Sequence, residues 1–425
     1  MATFLGMRGT GDWVENQRPE NWREMILRLY PNGSAPLTAV LSMMRKEKTD
    51  DPVFHWWTKV LPNQAGAVSG VYTDAAMGNA YAGGGEAGDT LYIKTNEDGV
   101  QHFRPGHTAV LACTTDSRMT VFCRVAAVEA NGDNSKITVV LQEDDDNSPS
   151  ANLSDANRIA VVGSANPEGG DIPQALAYNP VELSNQTQIF RTSLDMTRTA
   201  MKTRLRTGDA YKEAKREALE LHSIEMEKAY IWGVRRTETG ANGKPQRYTW
   251  GIVPFVREYA PSNIIDYRFD TEFNGKTWEQ GGEAFMDKIA ELAFRYDGDD
   301  VLALCGSAAL ASVNKIAKSS GTIQLTPRTA AYGLKVVEWI SPSGTIYFKT
   351  HPLFSIEPAW QHMVILLRPK YLRFRYIDDT KFLPNRQSPS IDGRTDEFLT
   401  EAGLEFHHPQ TFLVVNGVGL DNEQA

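Results

Sequence analysis

The chain has 425 residues, of which 41% are hydrophobic, 23% charged and 10% aromatic. That balance excludes wholesale disorder, collagen-like repeats and a small disulfide scaffold. A formal net charge of -9 argues against a nucleic-acid surface spread over the whole molecule.

The longest run of large apolar residues, 363–367, is far short of the roughly 20 residues that a membrane helix needs. No basic region followed by a long apolar stretch opens the chain, so no signal peptide is expected. The expectation is a soluble protein, folded in the cytoplasm, with no membrane partner. Three cysteines, Cys113, Cys123 and Cys305, are too few for a cysteine-based metal cage or a dense disulfide framework. They read as small buried apolar residues.

Residues 1–19 are polar and glycine-containing and read as an extended arm. Residues 19–30 and 36–44 have the spacing of two short helices, the first carrying Trp22, Met25, Ile26 and Leu29. Residues 53–60 look like an aromatic strand. Residues 64–89 are small and glycine-rich, and they are expected to take their order from neighbouring subunits. From 90 to 142 the pattern is all β, with short strands at 91–93, 109–112, 119–128 and 137–141 separated by turn signals. This predicts a small β-barrel or sandwich inserted in a longer excursion.

Residues 181–196 are extended. A long helix follows over 209–232, with Asp209 as N-cap, Gly233 as the stop, and Ala214, Ala218, Leu221, Ile224 and Ile231 as its apolar stripe. The last third alternates helices (278–296, 308–318) with strands (301–304, 334–340, 345–349, 363–367, 371–377, 398–407, 412–415), the pattern of an α+β or α/β domain with a mixed sheet.

Charge is unevenly placed. Residues 129–171 hold nine acids against two bases, a net -7, whereas residues 191–247 hold thirteen bases against eight acids, a net +5. Within the basic part, Arg191, Arg198, Lys202, Arg204 and Arg206 are interrupted only by Asp195. Opposite signs on separate segments suit contact between copies of one molecule. The plainer reading is that both are solvated faces.

Catalytic signatures are missing from the sequence. It contains no His-Glu-x-x-His, Gly-x-Ser-x-Gly, phosphate-binding glycine loop or Cys-x-x-Cys. The eight histidines include no pair at the helical ligand spacing of three or four. The acidic run from Glu143 to Asp146 lacks the central glycine and closing glutamate of a helix-loop-helix calcium loop. Gly306-Ser307 lacks the second glycine of a nucleophile elbow and reads as a strand-to-helix turn capped by Ser307. Hence no enzyme activity, no cofactor and no metal are expected.

The order of features is more specific than any motif. Residues 179–190 (Asn-Pro-Val-Glu-Leu-Ser-Asn-Gln-Thr-Gln-Ile-Phe) lead into 207–221 and then 224–233, which resembles the end of a spine helix. Residues 333–337 and 344–348 with His351-Pro352 resemble axial-domain strands, and 403–409 with 412–417 resemble a closing strand. Over roughly residues 170–420 the chain resembles the major capsid protein of tailed double-stranded DNA phages, the Hong Kong 97-type fold.

That resemblance implies an α+β fold divided as follows: 1–50 arm and short helices; 51–200 extended loop with an inserted β module at about 88–165; 201–255 peripheral domain with spine helix; 256–375 axial domain; 376–425 closing strands. It implies self-assembly into hexamers and pentamers of an icosahedral head enclosing double-stranded DNA without sequence-specific binding, with portal, scaffold or decoration proteins as possible further partners. The protein would be assembled in the host cytoplasm and reside in the virion. Arg191, Arg198, Lys202, Arg204 and Arg206 against Asp144, Asp145 and Asp146 become the candidate contacts between subunits. A tail or baseplate protein and, less favoured, an α/β enzyme are the alternatives.

Overall fold

The computed structural model describes residues 37–38, 41, 46–59, 62–116, 118–145, 152–169, 172–203, 210–298, 300–319, 327–329 and 335–424. The first expected helix, 19–30, lies outside them, as does the Asp209 cap. The chain forms two compact units, one made of Met1–Thr58 with Val181–Ala425, the other of Lys59–Pro180.

Strand Val53–Thr58 pairs antiparallel with Val181–Gln186, and Thr58 lies directly opposite Val181. The whole second unit therefore leaves and re-enters the first at one rung of a hairpin ladder. Its bounds are wider than the module expected at about 88–165, because two short strands before residue 88 belong to its sheet.

That sheet has seven strands in the order Ala65–Ala67, Arg158–Ser164, His107–Ala112, Thr120–Glu129, Ser135–Leu141, Thr90–Thr95, Gly70–Tyr72. The two outermost strands are separated in sequence only by Val68 and Ser69. The Val68 N–H donates to the Asn157 carbonyl and the Ser69 N–H to the Lys94 carbonyl, at 2.9 and 2.8 Å. One bent segment thus supplies both edge strands, which brings the two ends of the sheet together as a barrel. Alternate residues point inward: Leu91, Ile93, Ala109, Leu111, Val121, Cys123, Val125, Ile137, Val139, Leu141 and Ile159 make its core. Cys123 faces Ala109 across the ladder, while the Cys113 N–H meets the Met119 carbonyl, so the two thiols are not partners. All three cysteines are free.

The glycine-rich stretch takes its order from this barrel, which corrects the expectation that neighbouring subunits supply it. Besides closing the sheet, it folds a loop in which the Asp74 carboxylate accepts from the Gly78 and Asn79 N–H groups at 3.0 and 2.7 Å. Tyr81, buried, donates to Asp145 and accepts from the Gly85 N–H, both at 2.7 Å.

The first unit is α+β. A four-stranded sheet in the order Lys46–Lys48, Leu372–Leu383, Gly393–Phe406, Gln188–Thr197 packs one face on the long helix Ala210–Trp232. Phe190 and Phe374 meet Tyr230 edge-on, at 5.7 and 6.2 Å between ring centres. A second sheet, in the order Ile264–Asp266, Leu413–Asn416, Val364–Leu367, Val301–Cys305, Gly344–Thr350, Lys335–Ser341, Pro327–Thr329, is mixed. Helices Trp278–Phe294 and Ser307–Ser319 cover it, burying Phe285, Met286, Ile289, Val313 and Ile316 against Val301, Ala303 and Ile346. One core joins both sheets to the long helix through Met226, Tyr230, Leu302, Leu304, Ile365, Leu404 and Phe406.

Two local expectations change. The long helix buries Lys215, Ala218, Leu219, His222, Ser223, Met226, Glu227, Tyr230 and Ile231, whereas Leu221 is 49% exposed. The stripe is rotated from the expected one because polar side chains with partners occupy the inner face. Ser307 is the first helical residue, not the cap. Gly306 is required there because a Cβ on it would stand 2.2 Å from the Gln361 carbonyl oxygen.

Insertion at a single rung predicts that replacing residues 59–180 with a two-residue Asn-Gly turn leaves the first unit folded. The excised segment should fold alone on its own core. Circular dichroism and urea unfolding of both products check this; a cooperative transition is expected in each.

Candidate assembly surface

The four-stranded sheet has two unlike faces because its strands alternate. On Gln188–Thr197, Phe190 and Leu194 turn to the long helix, and Ile189, Arg191, Ser193 and Asp195 turn away. On Gly393–Phe406, Phe398, Thr400, Ala402 and Leu404 face the helix, which leaves Thr395, Glu397, Glu401 and Glu405 on the outer face with Leu399 among them. The outer face is thus a charged lattice. Glu405 is buried and held by Arg375 and His407, and Arg375 and Arg373 both reach Glu47. That pairing ties the parallel edge strand Lys46–Lys48 to the sheet.

Glu397 accepts two hydrogen bonds from the Arg191 guanidinium, that from Nη2 at 2.9 Å. The pairing holds its carboxyl below the usual carboxylate range. Arg386 Nε approaches the same carboxylate at 3.6 Å. Around this trio lies a cleft of about 700 Å³ lined by Arg191, Ser193, Asn385, Arg386, Thr395 and Glu397.

The candidate contacts are placed differently from one another. Arg191 lines the cleft. Arg198 is paired within its own chain, Nε to Asp392 Oδ1 at 2.9 Å, and Lys202 is exposed at the end of the short helix Arg198–Lys202. Arg204, Arg206 and Asp146 lie outside the described residues. In the barrel unit, Asp144 is exposed and accepts from the Ala87 N–H at 2.7 Å. Asp145 is buried, bonded to Tyr81 and the Leu153 N–H. Arg191 and Arg198 each have a counter-charge inside the subunit and remain exposed. One correction follows: Asp145 is buried and bonded within its own barrel, turned away from any surface contact.

Sequence reasoning missed two buried polar centres on the long helix. His222 sits between Thr192 Oγ1 (3.0 Å) and Thr400 Oγ1 (2.7 Å), and burial pushes its pKa down to about 4. Glu227, fully buried, accepts from the Leu37 N–H at 2.7 Å, the Thr38 N–H at 2.6 Å, the Thr38 hydroxyl and His351 Nε2 at 2.8 Å. Their only sequence signal is a titratable residue at the helical spacing of the apolar stripe. Among the described residues, no group of three or more His, Cys, Asp or Glu side chains is placed to hold a metal ion, and no helix is long and apolar enough to cross a membrane.

The chain belongs to the SU10 major capsid protein family, whose model matches residues 6–419. The major capsid protein of Pseudomonas phage PaMx41 is 25% identical over 448 residues, spanning 100% of this chain and 98% of that protein. Among solved structures, that of Mycobacterium phage Adephagia is similar over 89% of each chain at a TM-score of 0.40 and 8% identity. The capsid of cyanophage Pam1 is similar over 60% of this chain and 82% of its own at a TM-score of 0.38 and 10% identity. As a major capsid protein, the chain belongs in the virion head.

His222 gives the subunit a pH dependence with a definite sign. Its folded pKa, about 4, is below the unfolded value of about 6.5. The unfolded state therefore binds the proton first, and stability present above about pH 6.5 is lost as pH falls toward 4. Urea unfolding between pH 7 and pH 4.5 should show a loss on the order of 2 kcal/mol from this group, and His222→Gln should flatten that part of the slope.

Proposed function

We propose that this protein is the shell-forming subunit of a tailed double-stranded DNA phage head, with the Hong Kong 97-type fold, self-assembling into hexamers and pentamers of an icosahedral capsid. The observation that carries this reading is the family match over residues 6–419, almost the whole chain. The order of elements supports it: an N-terminal segment, a hairpin excursion, a long helix against a sheet, a mixed-sheet domain and closing strands. In this reading residues 201–255 and 376–425 form the peripheral domain and 256–375 the axial domain. The protein encloses DNA without reading its sequence, assembles in the host cytoplasm, and meets portal, scaffold or decoration proteins at the finished shell. It performs no turnover and requires no metal.

Contacts between copies are electrostatic at their rims: the basic segment from Arg191 to Arg206, with Arg191, Arg198 and Lys202 its exposed described members, faces the acidic segment 129–171 of a neighbour. Electron microscopy of the purified, concentrated protein tests the reading. Closed shells of uniform diameter are expected, and a protein that stays monomeric or forms open fibres at every concentration and salt contradicts it.

A further inference from the structure

The cleft on the outer face of the four-stranded sheet holds more donor capacity than its own chain uses. Glu397 is 6% exposed and already bonded twice by Arg191, while the guanidinium of Arg386, 52% exposed, makes only the 3.6 Å ion pair with it. Two guanidiniums share one carboxylate. The Ser193 and Thr395 hydroxyls and the Asn385 side-chain amide line the same space without a hydrogen-bond partner among the described residues. Asp195 is exposed and lies directly across the ladder from Thr395, without an ion pair among the described residues. Such a cleft is shaped for an incoming carboxylate that takes the free edge of Arg386 and the two hydroxyls.

The barrel unit carries a matching feature. Glu143 and Asp144 are exposed and consecutive, and neither has a cation partner among the described residues. Each is fixed by one oxygen only: Glu143 Oε1 accepts from the Phe122 N–H and Asp144 Oδ1 from the Ala87 N–H, both at 2.7 Å. Beneath them the buried Asp145 is locked by Tyr81 and Leu153. The second oxygen of each exposed carboxylate is therefore presented rigidly to solvent, so little side-chain entropy is lost when it is bound.

We propose that the Arg191–Arg386–Glu397 cleft is a receptor for the Glu143–Asp144 corner of a second copy of this chain. Arg386 is the principal cation and Ser193 and Thr395 are the neutral donors. The contact rests on the shell reading above and narrows it: Arg198, already paired with Asp392, and the buried Asp145 are not part of it. A carboxylate seated on Arg386 beside the Ser193 and Thr395 hydroxyls sets which surfaces of neighbouring copies meet, and the contact weakens as salt rises.

The test compares shell assembly, by light scattering and electron microscopy at about 0.1 M salt, for the parent protein, Arg386→Glu, the pair Glu143→Arg with Asp144→Arg, and the combination of all three. Arg386→Gln accompanies them, because a glutamate at 386 beside Glu397 strains the sheet locally. Unfolding curves confirm that each variant is folded. Each reversal should raise the concentration for half-maximal assembly by about tenfold, Arg386→Gln by less, and the combination should recover most of the loss. Variants that assemble like the parent, or a combination no better than its parts, overturn the contact while the shell reading stands. A parent protein that forms no shells removes the shell reading, and the contact with it.

Discussion

A single buried carboxylate organises the larger unit. Glu227 lies about one and a half turns from the end of the long helix, fully excluded from solvent, and accepts four hydrogen bonds from two other parts of the chain. The Leu37 and Thr38 N–H groups bring the N-terminal segment to it, and Leu37 and Leu41 fill the core beside it. His351, at the end of strand Gly344–Thr350, brings the mixed sheet. An anion in a core is costly unless every lone pair is used, so the carboxylate fixes how these three pieces meet. Hydrophobic packing alone tolerates small shifts; four short bonds to one group do not.

The rest of the unit follows from that register. With the helix set, His222 one and a half turns earlier meets Thr192 and Thr400, and Lys215 lies over the Phe382 ring at 3.3 Å. Desolvation there pushes the Lys215 pKa down to about 8. The apolar face of the four-stranded sheet is thereby spent on the helix, and its charged face is left outward with the Arg191–Glu397–Arg386 cleft on it. The barrel needs none of this. It closes on itself through one bent segment and joins the body at a single ladder rung, an arrangement that lets a shell protein carry an added domain without altering its body.

Much of this was legible in the sequence. Alternation with a period of two marked the barrel strands, and apolar spacing marked helices Trp278–Phe294 and Ser307–Ser319 to within two residues. What was hidden is long-range pairing. Arg191 and Glu397 are 206 residues apart and Arg198 and Asp392 are 194 apart, so a run of cations that looks uncompensated along the chain is partly neutralised across the ladder. Glu227 and His222 were hidden for a related reason: a polar residue on an inner helix face looks like a solvated one until its distant partners are known. The glycine-rich stretch misled because small residues lower packing locally, yet Asp74, Tyr81 and Asp145 supply partners from within the barrel.

The central role of Glu227 is open to one direct measurement. Glu227→Ala leaves two backbone N–H groups and His351 Nε2 buried without an acceptor. Urea unfolding should show a loss of about 3 to 5 kcal/mol, and amide exchange at Leu37 and Thr38 should accelerate well beyond that of the barrel strands, whose rates stay as in the parent. A loss under about 1 kcal/mol, the net worth of an ordinary hydrogen bond, with unchanged exchange at those two amides would contradict the account.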